Sequence, residues 1–522
     1  MHDSSPTGGA GSSPTHGAAD ADPDPGPGAG SHPLLWAVNL ISDPIHGYIE
    51  LTKLLSPEHA ARLGLPPEAA AEGDLLDSAW LQRMRRISQL QSARWAFPTA
   101  EHSRFTHSLG VMHEAGLWAR HLYPSLRAEL VVADPAATPP SEGLVVETMR
   151  LAGLLHDVGH GPLAHFFDEH VLARFAAPPD PRRPHKSLTH EDLSQLIVER
   201  ELGGLIRSIR RAPGVDPGRD ALRPDESIDP CWISFLISKP PLADSSMPRW
   251  LRWLQPLLSG VFTVDNLDYV RRDAYMIGVA AGSVDVERLR LYSFIGTRGL
   301  TLYEQGLGAL EVFLNARLFM YQQIYFHRTV RAIDLDLAEI FRPSIEAIFG
   351  DGSPADRLSS YADLDEYALL HQAALWARGE ALSDDPRPGD GTVRPEVGRA
   401  WQAILLRRPH WRIEAEVRRT YEASERDGAI ASARAELGGH PGSVGRGSPA
   451  AADPGAVFTI DMAEIDARPA EATAFDSQLA VAGRGGLAGA PISQALGRIP
   501  AYALVARRYR RSVAEGENAA ER

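Results

Sequence analysis

The stretch LAGLLHDVGHGPLAHFFDEH, residues 151–170, carries the features from which both fold and chemistry are predicted. An apolar helix ends at His156 and Asp157, two glycines permit a tight turn, and Pro162 suits the start of a second helix. Four histidines and two aspartates fall within fifteen residues, among leucine, phenylalanine and alanine. Burying so many polar side chains is costly unless a metal ion or a ligand satisfies them. A lone His-Asp pair is more often a solvated helix end, so the prediction of a functional turn depends on the whole cluster.

Two further segments supply groups of the same kind. HSRFTHSLGVMHEAG (102–116) places His107 one turn into a helix, where taken alone it is an ordinary structural histidine. VDNLDYVRRDAYMIG (264–278) sets Asp265, Tyr269 and Asp273 near one helix face, which is either a site or a solvated acidic face offset by neighbouring arginines.

Together the segments offer two imidazoles and two carboxylates to one divalent ion: His107, His156, Asp157 and Asp265. Such a ligand set accepts Mn, Mg, Fe, Zn, Co or Ni, so the sequence leaves the metal open.

The remaining pattern predicts a mainly α fold, with a helical core, small β-hairpin elements and a C-terminal α+β lobe. A hairpin is expected at 37–51 and a helix from Asp77 that ends before Pro98. Further helices are expected at 106–123, 143–157, 162–175, 188–201, 261–277, 308–348 (one helix or a broken pair) and 398–436, and a strand at 456–461. Segments 176–186, 212–230, 380–396 and 437–456 are expected to be loops. The division expected is a disordered tail (1–33), a core (34–340) and a mostly helical C-terminal lobe with flexible loops (341–522).

Composition limits the function classes. The 522 residues carry a formal net charge of -14, which argues against a protein that binds long nucleic acid through a basic face. ARRYRR (506–511) is the exception, and a short basic run of this kind is usually a solvated helix face. Cys231 is the only cysteine, as a reducing compartment permits, and neither a signal peptide nor a membrane span is expected. We therefore expect a cytoplasmic protein.

The ordered set SDPIHGYIEL, RFTHSLGV, LLHDVGHGPLAH, THED and VDNLDYVRRD resembles a known family over roughly residues 38–335. It is similar to the HD-domain deoxynucleotide triphosphohydrolases, in particular the group that contains the vertebrate SAM-and-HD-domain enzyme and bacterial dGTPase-like HD phosphohydrolases. The resemblance implies hydrolysis of a small nucleotide to deoxynucleoside and triphosphate, a homo-oligomer, and the same four metal ligands.

The resemblance also implies roles for individual residues. Catalysis falls to His160 and Asp157, with His190 and Glu191 beside them and His165 and Asp168 close to the substrate. The sugar contacts implied are Gln89, Tyr269 and Asp273, the phosphate contacts are Arg104 and Arg317, and Tyr325 lies near the base. Nucleotide regulation is implied in part by Asp77, Gln82 and Arg85, although Asn39 stands where a basic partner is expected; an exposed polar helix face explains these three equally well.

One position departs from the family pattern. Asn266 follows the last metal-ligating aspartate where close relatives have a phosphate-binding lysine, and Leu267 replaces the usual aromatic residue. Arg271, Arg272 and Arg328 are the candidates to compensate for the lost charge, and the sequence leaves open whether any of them does. Three alternatives therefore stay open: an HD phosphohydrolase acting on another nucleotide or phosphate ester, a non-catalytic nucleotide-sensing module, and single-stranded nucleic acid binding.

Overall fold

The structure is a computed structural model that describes residues 36–177, 186–216, 218–238, 246–438, 458–467, 479–483, 492 and 496–512. The expected tail at 1–33 lies outside the described residues, as does most of the expected loops at 176–186 and 437–456.

Helices account for most of the described chain, which confirms the expected mainly α class with small β elements. The α-helices are α1 (Pro57–Arg62), α2 (Glu72–Leu76), α3 (Ala79–Arg83), α4 (Arg104–Ala133), α5 (Glu142–Leu155), α6 (His165–His170), α7 (His190–Leu196), α8 (Gly203–Ser208), α9 (Pro230–Ser238), α10 (Arg249–Leu254), α11 (Pro256–Ser259), α12 (Val264–Ile277), α13 (Val286–Leu291), α14 (Leu307–Met320), α15 (Arg328–Phe349), α16 (Leu358–Tyr361), α17 (Glu366–Ala377), α18 (Pro395–Leu405) and α19 (Arg426–Glu436). A π-helical turn at Tyr321–Tyr325 separates α14 from α15, so the segment expected at 308–348 is the broken pair.

The strands are β1 (Val38–Asp43), β2 (Gly47–Thr52), β3 (Ser293–Gly296), β4 (Gly299–Tyr303), β5 (Trp411–Tyr421), β6 (Phe458–Asp466), β7 (Ala480–Ala482) and β8 (Tyr502–Arg511). The expected hairpin is β1–β2, in antiparallel register from Val38↔Thr52 to Asp43↔Gly47. A second small sheet has the order β3-β4-β7, and a third, antiparallel throughout, has the order β5-β8-β6.

The two helices that carry the site's histidines lie very close together. A Cβ added at Gly153 in α5 would lie 2.8 Å from the carbonyl oxygen of Val111 in α4, so only glycine permits this approach. The hydrophobic core that contains residues of both helices continues past residue 341 and includes Trp376 and Trp401, both buried. The division at 340 stays a prediction.

The turn after α5 is tightly held. Tyr361 donates a hydrogen bond to the carbonyl of Gly159 at 2.8 Å, and Arg83 donates one to the carbonyl of His160 at 2.7 Å. Leu163 and Ala164 have φ of 57° and 48°, a left-handed conformation that costs non-glycine residues about 1–3 kcal/mol each. The second helix therefore begins at His165 rather than at Pro162, and the expected helix at 162–175 was placed three residues too early.

The helix expected from Asp77 to Pro98 is wrong. It ends after α3 and one 3-10 turn, because Ile87 is extended and its carbonyl accepts the amide hydrogen of Arg104 at 2.9 Å. The backbone N–H of Gln89 then donates to the carbonyl of His102 at 3.0 Å. Long-range pairing with the segment before α4 thus overrides the local helical periodicity.

Two predictions in the C-terminal region are also wrong. Residues 411–421 of the expected helix at 398–436 form β5, which pairs along its length with β8. ARRYRR is part of β8, and Arg507 is only 2% exposed, with its Nε 2.6 Å from Glu416 Oε2. The expected strand at 456–461 is confirmed by β6 in its described residues.

Candidate active site

The four expected metal ligands converge from three helices. His107 lies in α4, His156 caps the end of α5 with Asp157 after it, and Asp265 lies in the first turn of α12. Asp265 Oδ1 lies 3.1 Å from His107 Nε2 and 3.8 Å from His156 Nε2. Asp157 Oδ1 lies 3.3 Å from His156 Nε2. Ligand atoms of His107, His156 and Asp157 all fall within 4.8 Å of one another, so this group can hold a metal ion.

The donor set fits a divalent cation. His156 Nδ1 donates to the carbonyl of Gly153 at 2.8 Å, which leaves the lone pair on Nε2. That buried Nε2 has no hydrogen-bond partner among the described residues, although two carboxylates face it. Burial lowers the pKa of His156 and so favours the neutral ring that a metal ligand requires.

A buried carboxylate that the sequence reasoning missed stands behind His107. Asp268 is fully buried in α12; its Oδ2 accepts from His107 Nδ1 at 2.8 Å and its Oδ1 accepts from His46 Nε2 at 2.7 Å. Arg272 donates to the same carboxylate at 2.8 and 2.9 Å. Burial lowers the pKa of His107, but hydrogen bonds to Asp265 and Asp268 outweigh it and raise the value to about 10 in the metal-free protein, so an ion that binds Nε2 must displace its proton. Asp268 lies three residues after Asp265, and this spacing was the signal in the sequence that the two carboxylates share one helix face.

A second cluster lies beside the first. Ligand atoms of His160, His165, Asp168 and His190 also lie within 4.8 Å of one another. The rings of His160 and His190 stack at 3.7 Å, and His190 Nδ1 forms a short hydrogen bond with Asp168. Burial lowers the pKa of His190, but Asp168 and Glu191 raise it to about 9, so His190 carries a proton at neutral pH. Burial, together with Arg104 and His190, holds the pKa of His160 well below its usual value.

Most of the expected site residues line two adjoining cavities. The first, here called the metal cavity, has a volume of about 550 Å³. The expected residues that line it are Gln89, Arg104, His107, His156, Asp157, His165, His190, Glu191, Asp265, Tyr269 and Arg317. The second, here called the tyrosine cavity, has a volume of about 410 Å³ and adds Asp273 and Tyr325. His160 and Asp168 line neither cavity, and His160 is completely buried.

The residues expected to contact the substrate differ in the hydrogen bonds that their side chains already form within the protein. Gln89 Oε1 and Arg104 Nε are buried and have no hydrogen-bond partner among the described residues, although Arg104 also donates a short hydrogen bond to Asp157. Asp273 already accepts from Tyr325 at 2.6 Å and from His102 at 2.8 Å. Arg317 donates to Tyr269 at 3.2 Å and to a backbone carbonyl of β6 at 2.7 Å.

The three candidate arginines do not compensate for the charge lost at Asn266. Arg271 forms a short hydrogen bond with Glu114, and Arg272 is buried between Asp268 and Asp43. Arg328 is exposed, and none of these arginines lines either cavity. Asn266 itself lines the metal cavity, and its Oδ1 accepts a hydrogen bond at 2.8 Å from the backbone N–H of Thr263, the N-cap of α12.

The residues expected to take part in regulation have contacts within the chain. Gln82 donates to the carbonyl of Leu76 at 2.7 Å, and Arg85 donates to Gln82 at 2.9 Å. The guanidinium of Arg85 lies 3.8 Å from the ring centroid of Phe105. Regulation through Asp77, Gln82 and Arg85 stays a prediction.

Comparison with known proteins identifies the domain. A family model described as the HD domain matches residues 104–218, which includes His107, His156 and Asp157. The uncharacterised protein YwfO of Bacillus subtilis is 26% identical over 66% of this chain and 68% of its own length. The human deoxynucleoside triphosphate triphosphohydrolase SAMHD1 is 28% identical over 64% of this chain. The match covers 49% of the human protein, so the chain spans about half the length of that relative.

Solved structures agree on the fold. A hypothetical protein from Aquifex aeolicus superposes with a TM-score of 0.58 at 22% identity, over 91% of this chain and 96% of its own. A phosphohydrolase from Bacteroides thetaiotaomicron gives the same TM-score at 18% identity, over 91% of this chain and all of its own. The resemblance expected from the sequence is confirmed: the chain is an HD-domain protein that resembles the HD-domain deoxynucleotide triphosphohydrolase family over about two thirds of its length.

Proposed function

We propose that this protein hydrolyses deoxynucleoside triphosphates to deoxynucleoside and triphosphate, with a divalent metal ion as cofactor. The observation that carries the proposal is the continuity of the two cavities, which share Gln89, Arg104, His165, Tyr269 and Tyr321. One cavity presents metal ligands and arginines, and the other presents aromatic rings. A molecule with an anionic end and a flat, hydrogen-bonding end matches this combination.

His107, His156, Asp157 and Asp265 would hold the ion. A divalent ion bound there would supply positive charge against the phosphate oxygens and lower the pKa of water. Imidazole and carboxylate ligands accept Mn, Mg, Fe, Zn, Co or Ni, so the metal's identity is part of the experiment below.

Arg104 and Arg317 would bind the phosphate chain. Both line the metal cavity, and guanidinium groups suit phosphate because they present several donors in one plane. Gln89 would orient the sugar, because it lines both cavities and its buried Oε1 has no hydrogen-bond partner within the described part of the chain. Tyr269 and Tyr325 would enclose the nucleoside.

His165 is the side chain best placed to move a proton. Its side chain is 63% exposed, it lines both cavities, and its Nδ1 lies 3.5 Å from Asp168 Oδ2. His160, to which the resemblance gives the catalytic role, packs beneath His190 and opens to neither cavity. We therefore assign proton transfer to the leaving oxygen to His165, with Asp168 holding that ring and the protonated His190.

Asn266 is the observation that favours a second candidate, an HD phosphohydrolase acting on another nucleotide or phosphate ester. Among the described residues that line the metal cavity, Arg104 and Arg317 are the only arginine or lysine side chains. Each already donates within the protein. A substrate with fewer phosphates would place less negative charge against these two arginines than a triphosphate does.

We also propose a cytoplasmic homo-oligomer that does not bind long nucleic acid. The family resemblance supports assembly, and the net charge of -14 opposes binding to long polyanions. Within the described ranges, no helix combines the length and apolar content that crossing a bilayer demands.

Product analysis tests the function directly. Metal-replete protein is incubated with the four dNTPs, singly and mixed, with Mn or Mg and with or without GTP, and the products are separated by ion-pair chromatography. Deoxynucleoside with intact triphosphate, lost in the Asp265→Ala control, is the expected result. Turnover of deoxynucleoside monophosphates alone would support the second candidate, and nucleotide binding without any turnover would support a sensing module.

A further inference from the structure

The tyrosine cavity is lined by four carboxyl side chains: Glu169, Asp273, Asp334 and Glu464. It shares Tyr269 and Tyr321 with the metal cavity. The four carboxyl side chains come from α6, α12, α15 and β6, so the C-terminal sheet contributes to this wall. Glu464 is already paired with Arg426, and Asp273 accepts hydrogen bonds from Tyr325 and His102. The carboxylate oxygens on this wall still favour a hydrogen-bond donor over an anionic phosphate.

An arginine close to Asp334 is hydrogen-bonded to a different carboxylate. Arg331 also lines the tyrosine cavity, but it forms two hydrogen bonds with the buried Asp461 of β6, one of them 2.9 Å long. Its Nη1 remains 3.7 Å from Asp334 Oδ2, which is beyond hydrogen-bond distance. Arg331 therefore hydrogen-bonds to Asp461 and meets Asp334 as a looser ion pair, which opposes the rise in the pKa of Asp334.

Asp334 is the carboxylate with a free acceptor. Ser92 donates to its Oδ1 at 2.5 Å, whereas Oδ2 makes no hydrogen bond within the described part of the chain. The side chain is 10% exposed, and burial raises the pKa of Asp334 to about 6 against the opposing effect of Arg331. At pH 8 this group is consequently an ionised acceptor at the end of an aromatic cavity.

We propose that Asp334 selects nucleobases that carry an exocyclic amino group, so that the enzyme discriminates against thymine and uracil. Cytosine and adenine present an amino donor at the position where thymine presents a carbonyl, and guanine presents amino and ring N–H donors. A carboxylate attracts the exocyclic amino donor, whereas the one ring N–H on the base-pairing edge of thymine and uracil lies between two carbonyl oxygens that a carboxylate repels. This inference rests on the proposed function, because it requires the base to enter the tyrosine cavity.

Cytosine and uracil give the sharpest comparison, since they differ only at two adjoining positions: an amino group replaces a carbonyl at one carbon, and the neighbouring ring nitrogen N3 is a bare acceptor in cytosine and an N–H donor in uracil. At pH 8 we expect kcat/KM for dCTP to exceed that for dUTP by about tenfold or more, the size of one charge-assisted hydrogen bond. The Asp334→Asn variant should bring the ratio close to one, because an amide can donate to a carbonyl as well as accept. A wild-type ratio near one, or a tenfold ratio retained in Asp334→Asn, overturns the proposal.

Ser92→Ala is the matched control. It removes the hydrogen bond to Asp334 but leaves the carboxylate, so it reports on any general loosening of the cavity wall. The dCTP to dUTP ratio should survive in this variant. If it collapses to the same extent as in Asp334→Asn, packing rather than the carboxylate sets the preference, and the assignment is wrong.

Binding of free nucleosides separates failure of this inference from failure of the proposed function. Calorimetric titration with deoxycytidine and deoxyuridine requires no turnover. If no dNTP is hydrolysed, yet deoxycytidine binds more tightly and Asp334→Asn removes the difference, the selectivity stands without the proposed reaction. If neither nucleoside binds and no dNTP is hydrolysed, both proposals fall.

Discussion

Replacing Asp268 with asparagine separates the support of a metal ligand from the ligand itself. The wild-type carboxylate is fully buried and accepts hydrogen bonds from His46, His107 and Arg272. Its bond to His107 Nδ1 keeps the proton on that nitrogen and turns Nε2 towards Asp265. Asparagine is neutral and has a single acceptor oxygen, so it cannot satisfy all three donors.

The structure gives two magnitudes for Asp268→Asn. Removing one partner of a buried ion pair costs about 3–5 kcal/mol, and because Arg272 keeps Asp43 at 2.7 Å we expect the lower end of that range. Loss of a carboxylate behind a ligating histidine weakens metal binding by about 10–100-fold. The two effects are measured separately: urea unfolding of the metal-free protein gives the first, and competition with a metal-binding dye gives the second.

Asp43→Asn provides the control for this experiment. It weakens the same arginine, whose Nη1 lies 2.7 Å from Asp43, but leaves the hydrogen bond between Asp268 and His107 intact. We expect a loss of stability of about 1–3 kcal/mol with unchanged metal affinity. If Asp268→Asn and Asp43→Asn bind metal as tightly as the wild type, Asp268 stabilises the fold alone and the reasoning is refuted.

Three further predictions follow from the same region. His165→Ala should lower kcat by about 100-fold or more while leaving the metal content unchanged, because the exposed ring of His165 is the proposed proton donor. A larger loss of kcat in His160→Ala, measured in the same assay, would return that role to His160. The pKa of His190 is raised to about 9, so its contribution to folding is fully present below pH 6.5 and is lost as pH rises through 9. The free energy of unfolding in urea should therefore fall between pH 7 and 9.5, and a fall of equal size in Asp168→Asn would contradict this origin. Gly153→Ala should cost about 1–3 kcal/mol and weaken metal binding, since its Cβ would meet a backbone carbonyl of α4 at 2.8 Å; unchanged thermal unfolding and metal affinity would show that α4 and α5 can separate freely.

The local sequence pattern predicted an element correctly where the backbone hydrogen bonds that define the element form within it. The apolar periodicity of α4, α5 and α12 predicted helices that the structure contains, and the turn residues predicted the β1–β2 hairpin. The break between α14 and α15 was left open by the pattern, and a π-helical turn decides it.

The failures at Ile87 and in the C-terminal region share one cause, which is hydrogen bonding between segments distant in sequence. Ile87 leaves the helix because its carbonyl pairs with Arg104, and Trp411–Tyr421 is a strand because β8 lies beside it. Neither partner can be inferred from a window of ten residues. Arg507 was expected in solvent for the same reason, since the sheet that buries it assembles from three separate segments.

The sequence by itself determined which residue types meet at the site. Two imidazoles and two carboxylates in this order, with a glycine-rich turn between helices, predict a metal-ligand set without coordinates, because the chemistry of the side chains and their spacing carry that information. Only the tertiary structure decided which groups open into a cavity and which stand behind it. His160 and Asp268 are as polar as His165 and Asp265, but packing buries the first two and opens the others to solvent, and burial is a property of the assembled fold.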